Sequence, residues 1–306
     1  AIDPHRGFDE NIIENPTSPR DVIVPPYFPD TSEVREDLAL YYDEIIRLDS
    51  FVGRVLEELG KQKVADNTLV LFISDNGRPF PRDKTTLYDS GIRSPWLLRW
   101  PKEVKAGSVS GELVSSVDIA PTFLKLAGLE PSAHMVGTSF LPLLEKRPRA
   151  IRPYVFAEKN WHDLEDRSRA VRSKRFKYIR NFYDDLPLTP PADALRSPTY
   201  RTMQKLRDHG KLNAAQLACF VKPRPKEELY DLRADPFEMK NLAADPVQAQ
   251  TLKRLRFALE KWQEKTKDLP PRVRTPDEFD RETGLPTPAR IRPRPSKVEM
   301  RNKLGF

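Results

Sequence analysis

Ser74-Asp75-Asn76-Gly77 follows an apolar run, Thr68-Leu-Val-Leu-Phe-Ile73, and sets a carboxylate beside a carboxamide. Both side chains end in hard oxygen donors, which suit Ca²⁺ or Mg²⁺ better than zinc. The run is rich in β-branched and aromatic residues and polar at both ends, the pattern of a buried central strand in a parallel sheet. Side chains at the carboxyl end of such a strand face the crevice where ligands bind. Asn-Gly after an apolar run is also a hairpin signal. Here, however, the next apolar run, Trp96-Leu-Leu-Arg-Trp100, comes too late for a tight turn. The intervening Asp83-Lys84-Thr-Thr-Leu-Tyr88-Asp-Ser-Gly91-Ile-Arg93-Ser-Pro95 puts a lysine in a loop after the acidic pair.

The elements that must position these residues are legible from periodicity. Asp30-Thr-Ser-Glu33 has the form of a capping box. Val34, Leu38, Tyr41, Ile45, Leu48, Val52, Val55 and Leu59 then recur at helical spacing up to Gly60. A helix over 33–59 followed by a strand over 68–73 is an α-then-β unit of a parallel sheet. A second helix is expected from Val117 to Ala127, with Gly128 just past its end. Beyond residue 150 the character changes. Tyr154–Phe156, Arg169–Arg172, Phe176–Ile179 and Glu228–Leu232 read as short strands of an antiparallel sheet. Thr199–Asp208 reads as a helical patch in an irregular stretch, and Val247–Lys267 as an amphipathic helix. Three segments result: 1–150 as part of an α/β domain, 151–269 as a small antiparallel β/α subdomain, and 270–306 as a Pro/Arg-rich extended tail.

Composition narrows the class. The chain has 306 residues, 32% charged and 38% hydrophobic, with a net charge of +7, much of it contributed by the tail. That balance favours an anionic partner without choosing one. No apolar stretch is long enough to span a bilayer. Cys219 is the single cysteine, which excludes an internal disulfide and a cysteine-cluster metal site. No secretory leader pattern opens the chain, and Ala1-Ile-Asp-Pro-His5-Arg6 reads as the interior of a domain.

Seven stretches, in order, resemble the sulfatase family of the alkaline-phosphatase-like superfamily. They are Asp3-Pro-His5-Arg6, the helix ending Leu48-Asp49-Ser-Phe-Val-Gly53, and Phe72-Ile-Ser-Asp75-Asn76-Gly77; then Lys84-Thr-Thr-Leu-Tyr-Asp-Ser-Gly91-Ile-Arg-Ser-Pro95 and Val117-Asp118-Ile-Ala-Pro121-Thr122; and finally Ala170-Val-Arg172 through Lys177-Tyr-Ile179 and Glu228-Leu-Tyr-Asp-Leu232 through Asn241-Leu242. Pro79-Phe80-Pro81 after the Asp-Asn-Gly turn, the Asp-Pro-His-Arg opening and Asn160-Trp-His162-Asp163 make the heparan N-sulfatase group the nearest likeness. The resemblance implies the C-terminal part of an alkaline-phosphatase-like parallel-sheet domain, followed by a small antiparallel sheet plus helix. It implies a hydrolase of sulfuric esters or sulfamates acting on sulfated or N-sulfated glycosaminoglycan sugars. Asp75 and Asn76 would be two ligands of a divalent ion, usually Ca²⁺. Lys84 would contact sulfate, His5 would contact sulfate and protonate the leaving group, and His162 would line the sugar pocket. Without the resemblance, His5 reads as a surface histidine, Lys84 as a solvated loop lysine, and His162 as either a structural or a surface residue. Arg78 and Arg82 read equally as anion contacts or solvated charges.

The family's nucleophile is a formylglycine made from cysteine in a C-x-P/A-x-R motif, and Cys219, in Ala218-Cys-Phe-Val-Lys222, does not fit it. The early Asp-Asp ligand pair is absent as well. The expectation is therefore the C-terminal portion of a longer sulfatase, inactive alone, with an incomplete Ca²⁺ shell. Family habit implies a periplasmic, secreted or lysosomal location. Two other readings compete: a phosphodiesterase-like member of the same superfamily, and a non-catalytic basic module that binds polyanions. No nucleic-acid partner is expected.

Overall fold

The computed structural model describes residues 4–9, 12–145 and 149–290. Helix α1 (Ser32–Lys61) starts where Thr31 leaves extended backbone and its side chain accepts from the Val34 amide at 3.4 Å. Its first half is buried: Val34, Leu38, Ala39 and Tyr41 pack with Val22, Tyr27, Phe28, Phe80 and Met203. The expected apolar stripe does not stay covered beyond that point. Ile45 is 39% exposed and Val55 57%, because nothing in the described residues packs over the second half of the helix on that side.

Strand β1 (Val70–Ile73) is half-buried along its whole length. It pairs antiparallel with β2 (Trp96–Arg99), in register Val70↔Arg99 to Ile73↔Trp96, and among the described residues β2 is its one strand neighbour. A buried central strand of a parallel sheet was expected, so this pair corrects that reading. The long connection between the strands, which includes the short helix α2 (Asp89–Ile92), lets the chain reverse without a tight turn. Helix α3 (Ile119–Leu126) follows a 3₁₀ turn over Ser116–Asp118. Asp118 serves that helix start, as a carboxylate there should. Its Oδ2 accepts from Ser115 N and its Oδ1 from Thr138 N, each at 2.8 Å.

The second part is a four-stranded antiparallel sheet in the order β3 (Val155–Lys159), β4 (Ser168–Arg172), β5 (Phe176–Asn181), β6 (Glu227–Asp231). Side chains alternate between its faces. Val171, Tyr178 and Leu229 turn to Leu255 and Leu259 of α6 (Ala249–Thr266), where Trp262 also stacks on Phe156. Ala170, Ile179 and Tyr230 turn the other way, to Leu87 and Tyr88 of the lysine loop. The sheet is thus the wall against which that loop is built. Two short helices, α4 (Ala192–Leu195) and α5 (Pro198–Asp208), complete the fold between β5 and β6.

Residues 270–290 depart from the extended tail expected for them. Phe279, 2% exposed, enters a core with Leu164, Ala192, Leu195, Tyr200 and Cys219, and bridges Pro286. Trp161 Nε1 donates to Pro276 O at 3.0 Å, and Glu278 N donates to Asp163 O at 2.9 Å. One aromatic anchor and a row of polar contacts suffice to dock a segment that has little apolar content overall. Residues 291–306, with the remaining tail charges, lie outside the described residues.

Candidate functional site

The segment carrying His5 is pinned by its neighbour. Arg6 makes a two-pronged contact to Asp37 of α1, Nη1 to Oδ1 and Nη2 to Oδ2 both at 2.8 Å, while its Nε donates to Pro79 O at 2.6 Å. Paired guanidinium–carboxylate bonds of this kind fix direction as well as distance. Asp37 Oδ2 also accepts from Thr199 Oγ1 at 2.6 Å, so α1, α5 and the His5 segment meet at one carboxylate.

Two glycines set the loop that holds Lys84. Gly77 N donates to Gly91 O at 2.9 Å, and a Cβ on Gly77 would sit 1.9 Å from Ser90 O. A Cβ on Gly91 would sit 2.3 Å from Asp83 O and 2.5 Å from Thr86 O. The Asp-Asn-Gly turn and the lysine loop therefore touch backbone to backbone, an approach only glycine permits. Fully buried Asp83 braces the loop through Arg78 Nε at 3.0 Å and the Tyr27 hydroxyl at 2.9 Å. Burial is the largest influence on the Asp83 carboxyl and raises it above the usual range, against the pull of Arg78. Arg82 lies over the Tyr27 and Tyr88 rings and donates to Phe237 O and Glu238 O. Arg82 is buried as an internal brace, and Arg78, a quarter exposed, is tied to Asp83 and the Tyr27 hydroxyl.

Lys84 and His5 converge on a residue that sequence reasoning missed. Lys84 Nζ lies 3.1 Å from Asp193 Oδ2, and His5 Nε2 lies 3.9 Å from the same oxygen. Burial would raise the Asp193 carboxyl, but Lys84 and then His5 outweigh it and hold it below the ordinary carboxylate value. Asp193 sits on α4, whose Ala192 N donates to Asp163 Oδ2 at 3.0 Å, and that carboxylate lies 3.1 Å from His162 Nδ1. Three of the five expected site residues are thus tied to the first turn of one four-residue helix. Pro190-Pro-Ala-Asp193 does signal a helix start, but nothing in it announces a partner for a lysine far back in the chain.

Asp75 and Asn76 are held differently. Asp75 is exposed, and Asn76 Nδ2 donates to Asp75 Oδ1 at 2.9 Å. Asp75 Oδ2 and Asn76 Oδ1 have no hydrogen-bond partner among the described residues. Two oxygens on one turn suit a hard divalent ion in kind. They fall short in number of the roughly six to eight oxygens that Ca²⁺ takes. Among the described residues no group of three or more His, Cys, Asp or Glu side chains stands together to supply the remainder. Asp75 and Asn76 could supply no more than part of such a shell. Cys219 is fully buried, and burial pushes its thiol up to about 12, which removes it from nucleophilic use.

The lysine loop is locked to the sheet by a second charge cluster. Asp89 at the start of α2 receives both Arg172 Nε and Nη2 at 3.0 Å and lies 2.5 Å from Lys177 Nζ. Lys177, with a wholly buried side chain, also reaches Glu238 Oε1 at 2.8 Å, and Glu238 Oε2 accepts from Asp89 N at 2.6 Å. Burial alone would raise the Asp89 carboxyl, but Lys177 and Arg172 hold it down at about 2.

An Asp-Asn turn on an α/β layer, backed by a lysine loop and followed by an antiparallel sheet with one long helix, is the C-terminal arrangement of the alkaline-phosphatase-like fold. A solved structure of BT4656 in complex with D-glucosamine-2-N,6-O-disulfate superposes with a TM-score of 0.59 at 26% identity, over 80% of this chain and 44% of that one. Residues 5–129 match the model of the Sulfatase family, and residues 80–199 match that of N-sulphoglucosamine sulphohydrolase, C-terminal. The chain belongs to the sulfatase family. It is 39% identical over 241 residues to an ulvan-active sulfatase of Formosa agariphila, covering 78% of this chain and 40% of that protein. It is 36% identical over 277 residues to the N-sulphoglucosamine sulphohydrolase of Homo sapiens, covering 85% of this chain and 53% of that protein. The chain therefore spans about half the length of these curated relatives.

Proposed function

We propose that the whole protein to which this chain belongs is a sulfatase that removes sulfuryl groups from sulfated sugars, with N-sulfated glucosamine units of glycosaminoglycans as its substrate class. The observation that carries the reading is the meeting of Lys84 and His5 at Asp193, in the loop that folds back against the Asp75-Asn76 turn. The activity named for the relative from Homo sapiens, on N-sulphoglucosamine, supports this substrate class, and the ulvan-active relative supports no more than sulfatase chemistry.

For a sulfamate the net reaction is R–NH–SO₃⁻ plus water to R–NH₃⁺ plus SO₄²⁻: the S–N bond breaks, an S–O bond forms, and the nitrogen gains two protons. Lys84 supplies a fixed positive charge for the sulfuryl oxygens, where charge accumulates. His5 is placed to hand a proton to the departing nitrogen or oxygen. His162, which lies beside Asp163, would line the sugar pocket. Asp75 and Asn76 would contribute two oxygens to a divalent ion, which when bound offsets sulfuryl charge. The atom that attacks sulfur is expected from residues outside this chain, as a formylglycine. By family habit the protein works in the periplasm, outside the cell or in the lysosome. No helix among the described residues is long and apolar enough to cross a membrane.

The test is sulfate release by the whole protein from N-sulfo- and 6-O-sulfoglucosamine, followed by ion chromatography. Lys84→Met is expected to lower kcat by about 10²–10³-fold, the usual loss of one preorganised charge donor. A variant that turns over at the wild-type rate rejects the assignment.

A further inference from the structure

We infer that Asp193 is a positioning residue that binds Lys84 and His5 into one anion-facing edge, and that its negative charge restrains how tightly that edge holds sulfate. This rests on the sulfatase reading of the site.

Two side chains 79 positions apart in sequence approach a single oxygen, Asp193 Oδ2, Lys84 Nζ at 3.1 Å and His5 Nε2 at 3.9 Å. The carboxylate has little freedom of its own. Its side chain is 13% exposed, its Oδ1 accepts from Ala194 N at 2.9 Å, and it is flanked in its helix by the fully buried Ala192 and Ala194. Asp163 holds that helix from behind through Ala192 N. A flexible four-carbon ammonium such as Lys84 otherwise samples many rotamers. A buried carboxylate at hydrogen-bond distance selects one of them before any substrate arrives, and such preorganisation is worth most where reacting groups must meet in one geometry.

The same carboxylate lowers the positive potential of the edge. Lys84, joined by His5 whenever its ring is protonated, would form a strong trap for a sulfate dianion with no counter-charge beside it, and product sulfate would be slow to leave. With Asp193 between them the edge keeps its direction and loses part of its grip. Charge therefore sets affinity, while placement sets turnover, and the two separate experimentally.

Asp193→Asn keeps the shape and removes the charge. The expected result is a kcat lower by about 10–100-fold, from the loosened Lys84. Inorganic sulfate should bind about five-fold more tightly by titration calorimetry, from the lost repulsion. Asp193→Glu keeps the charge and moves it by one methylene, so turnover should fall while sulfate affinity stays at the wild-type value. An unchanged kcat in either variant overturns the inference. So does sulfate affinity that falls together with kcat in Asp193→Asn, which marks a residue that only holds the fold. The sulfate titration needs no turnover. If the wild-type protein releases sulfate from no sugar, the proposed function fails, and the comparison of Asp193→Asn with wild type in sulfate affinity still decides the role of Asp193. Should Asp193→Asn not fold, Asp193→Glu decides it by the same two measurements.

Discussion

At the scale of single residues, the metal reading of the Asp-Asn turn makes a sharp demand. Asp75 is exposed and its one side-chain hydrogen bond is with its neighbour Asn76, so removing it disturbs no packing. Asp75→Ala in the whole protein is expected to leave the melting temperature within a degree or two, since surface changes away from special contacts cost under about 0.5 kcal/mol. Sulfate release should be abolished and divalent-ion binding by calorimetry strongly weakened. Retained turnover with an unchanged ion isotherm rules out the ligand role. Asp75 and Asn76 were singled out by residue type and by their place after an apolar run, whereas Lys84 and His5 were singled out by the family resemblance alone. Asp193 was singled out by neither. Its function is a meeting across 109 positions with Lys84, and a single sequence holds no record of such a meeting. Arg78 and Arg82, open in sequence between anion contacts and solvated charges, are taken up by partners that sequence does not show: Asp83 and the Tyr27 hydroxyl for Arg78, and the remote Phe237 and Glu238 carbonyls for Arg82.

At the scale of elements, the site loop depends on the antiparallel sheet behind it. The short strands of that sheet and the helix that covers it were legible as period-two and period-3.6 patterns. The ion cluster joining α2 to β4 and β5 was not, since Lys177 sits mid-strand where alternation assigns only a face. Its side chain is wholly buried between Asp89 and Glu238. Lys177→Met leaves Glu238 without its counter-charge and Asp89 with Arg172 alone, and is expected to cost about 3–5 kcal/mol, the range for breaking a buried pair by removing one partner. Urea unfolding followed by far-UV circular dichroism measures it, and a loss below 1 kcal/mol would show the cluster to be dispensable. The acid limb follows from Asp89, whose carboxyl stands at about 2 against 3.8 for the ordinary group. A folded value below the unfolded one stabilises above the unfolded value and is lost as pH falls from about 4 toward 2. Asp89 should therefore contribute a loss of about 2 kcal/mol over that window. Because Lys177 and Arg172 both hold the carboxyl down, Arg172→Gln should shrink the loss measurably.

At the scale of the molecule, the two parts are finished to different degrees. The sheet and α6 bury their apolar faces on each other, and the 274–290 segment closes over residues 160–166 through Phe279 and its polar contacts, an arrangement that proline and arginine content hid. The α/β part does not close in the same way. Among the described residues it has two antiparallel strands, β1 half-buried and β2 alternately exposed, and apolar side chains stand exposed on α1, β2 and α3: Ile45, Val55, Leu97, Phe123 and Leu126. Isolated strand pairs are marginal in water, and an uncovered strand edge with apolar side chains is a template for association. Periodicity had marked the α1 stripe as core, and the chemistry of that reading stands: the residues are those of a buried face, although the described residues cover only its first half. The chain produced alone is therefore expected to bind a hydrophobic dye strongly and to self-associate with rising concentration, as read by light scattering. Val55→Glu together with Leu97→Glu should reduce both signals without altering the helical content of α1, because neither side chain is buried. In the whole protein the same pair should be destabilising, since a face covered there cannot accept charge without cost. Opposite signs in the two contexts are the signature of a domain face, and equal effects in both would assign those side chains to ordinary surface.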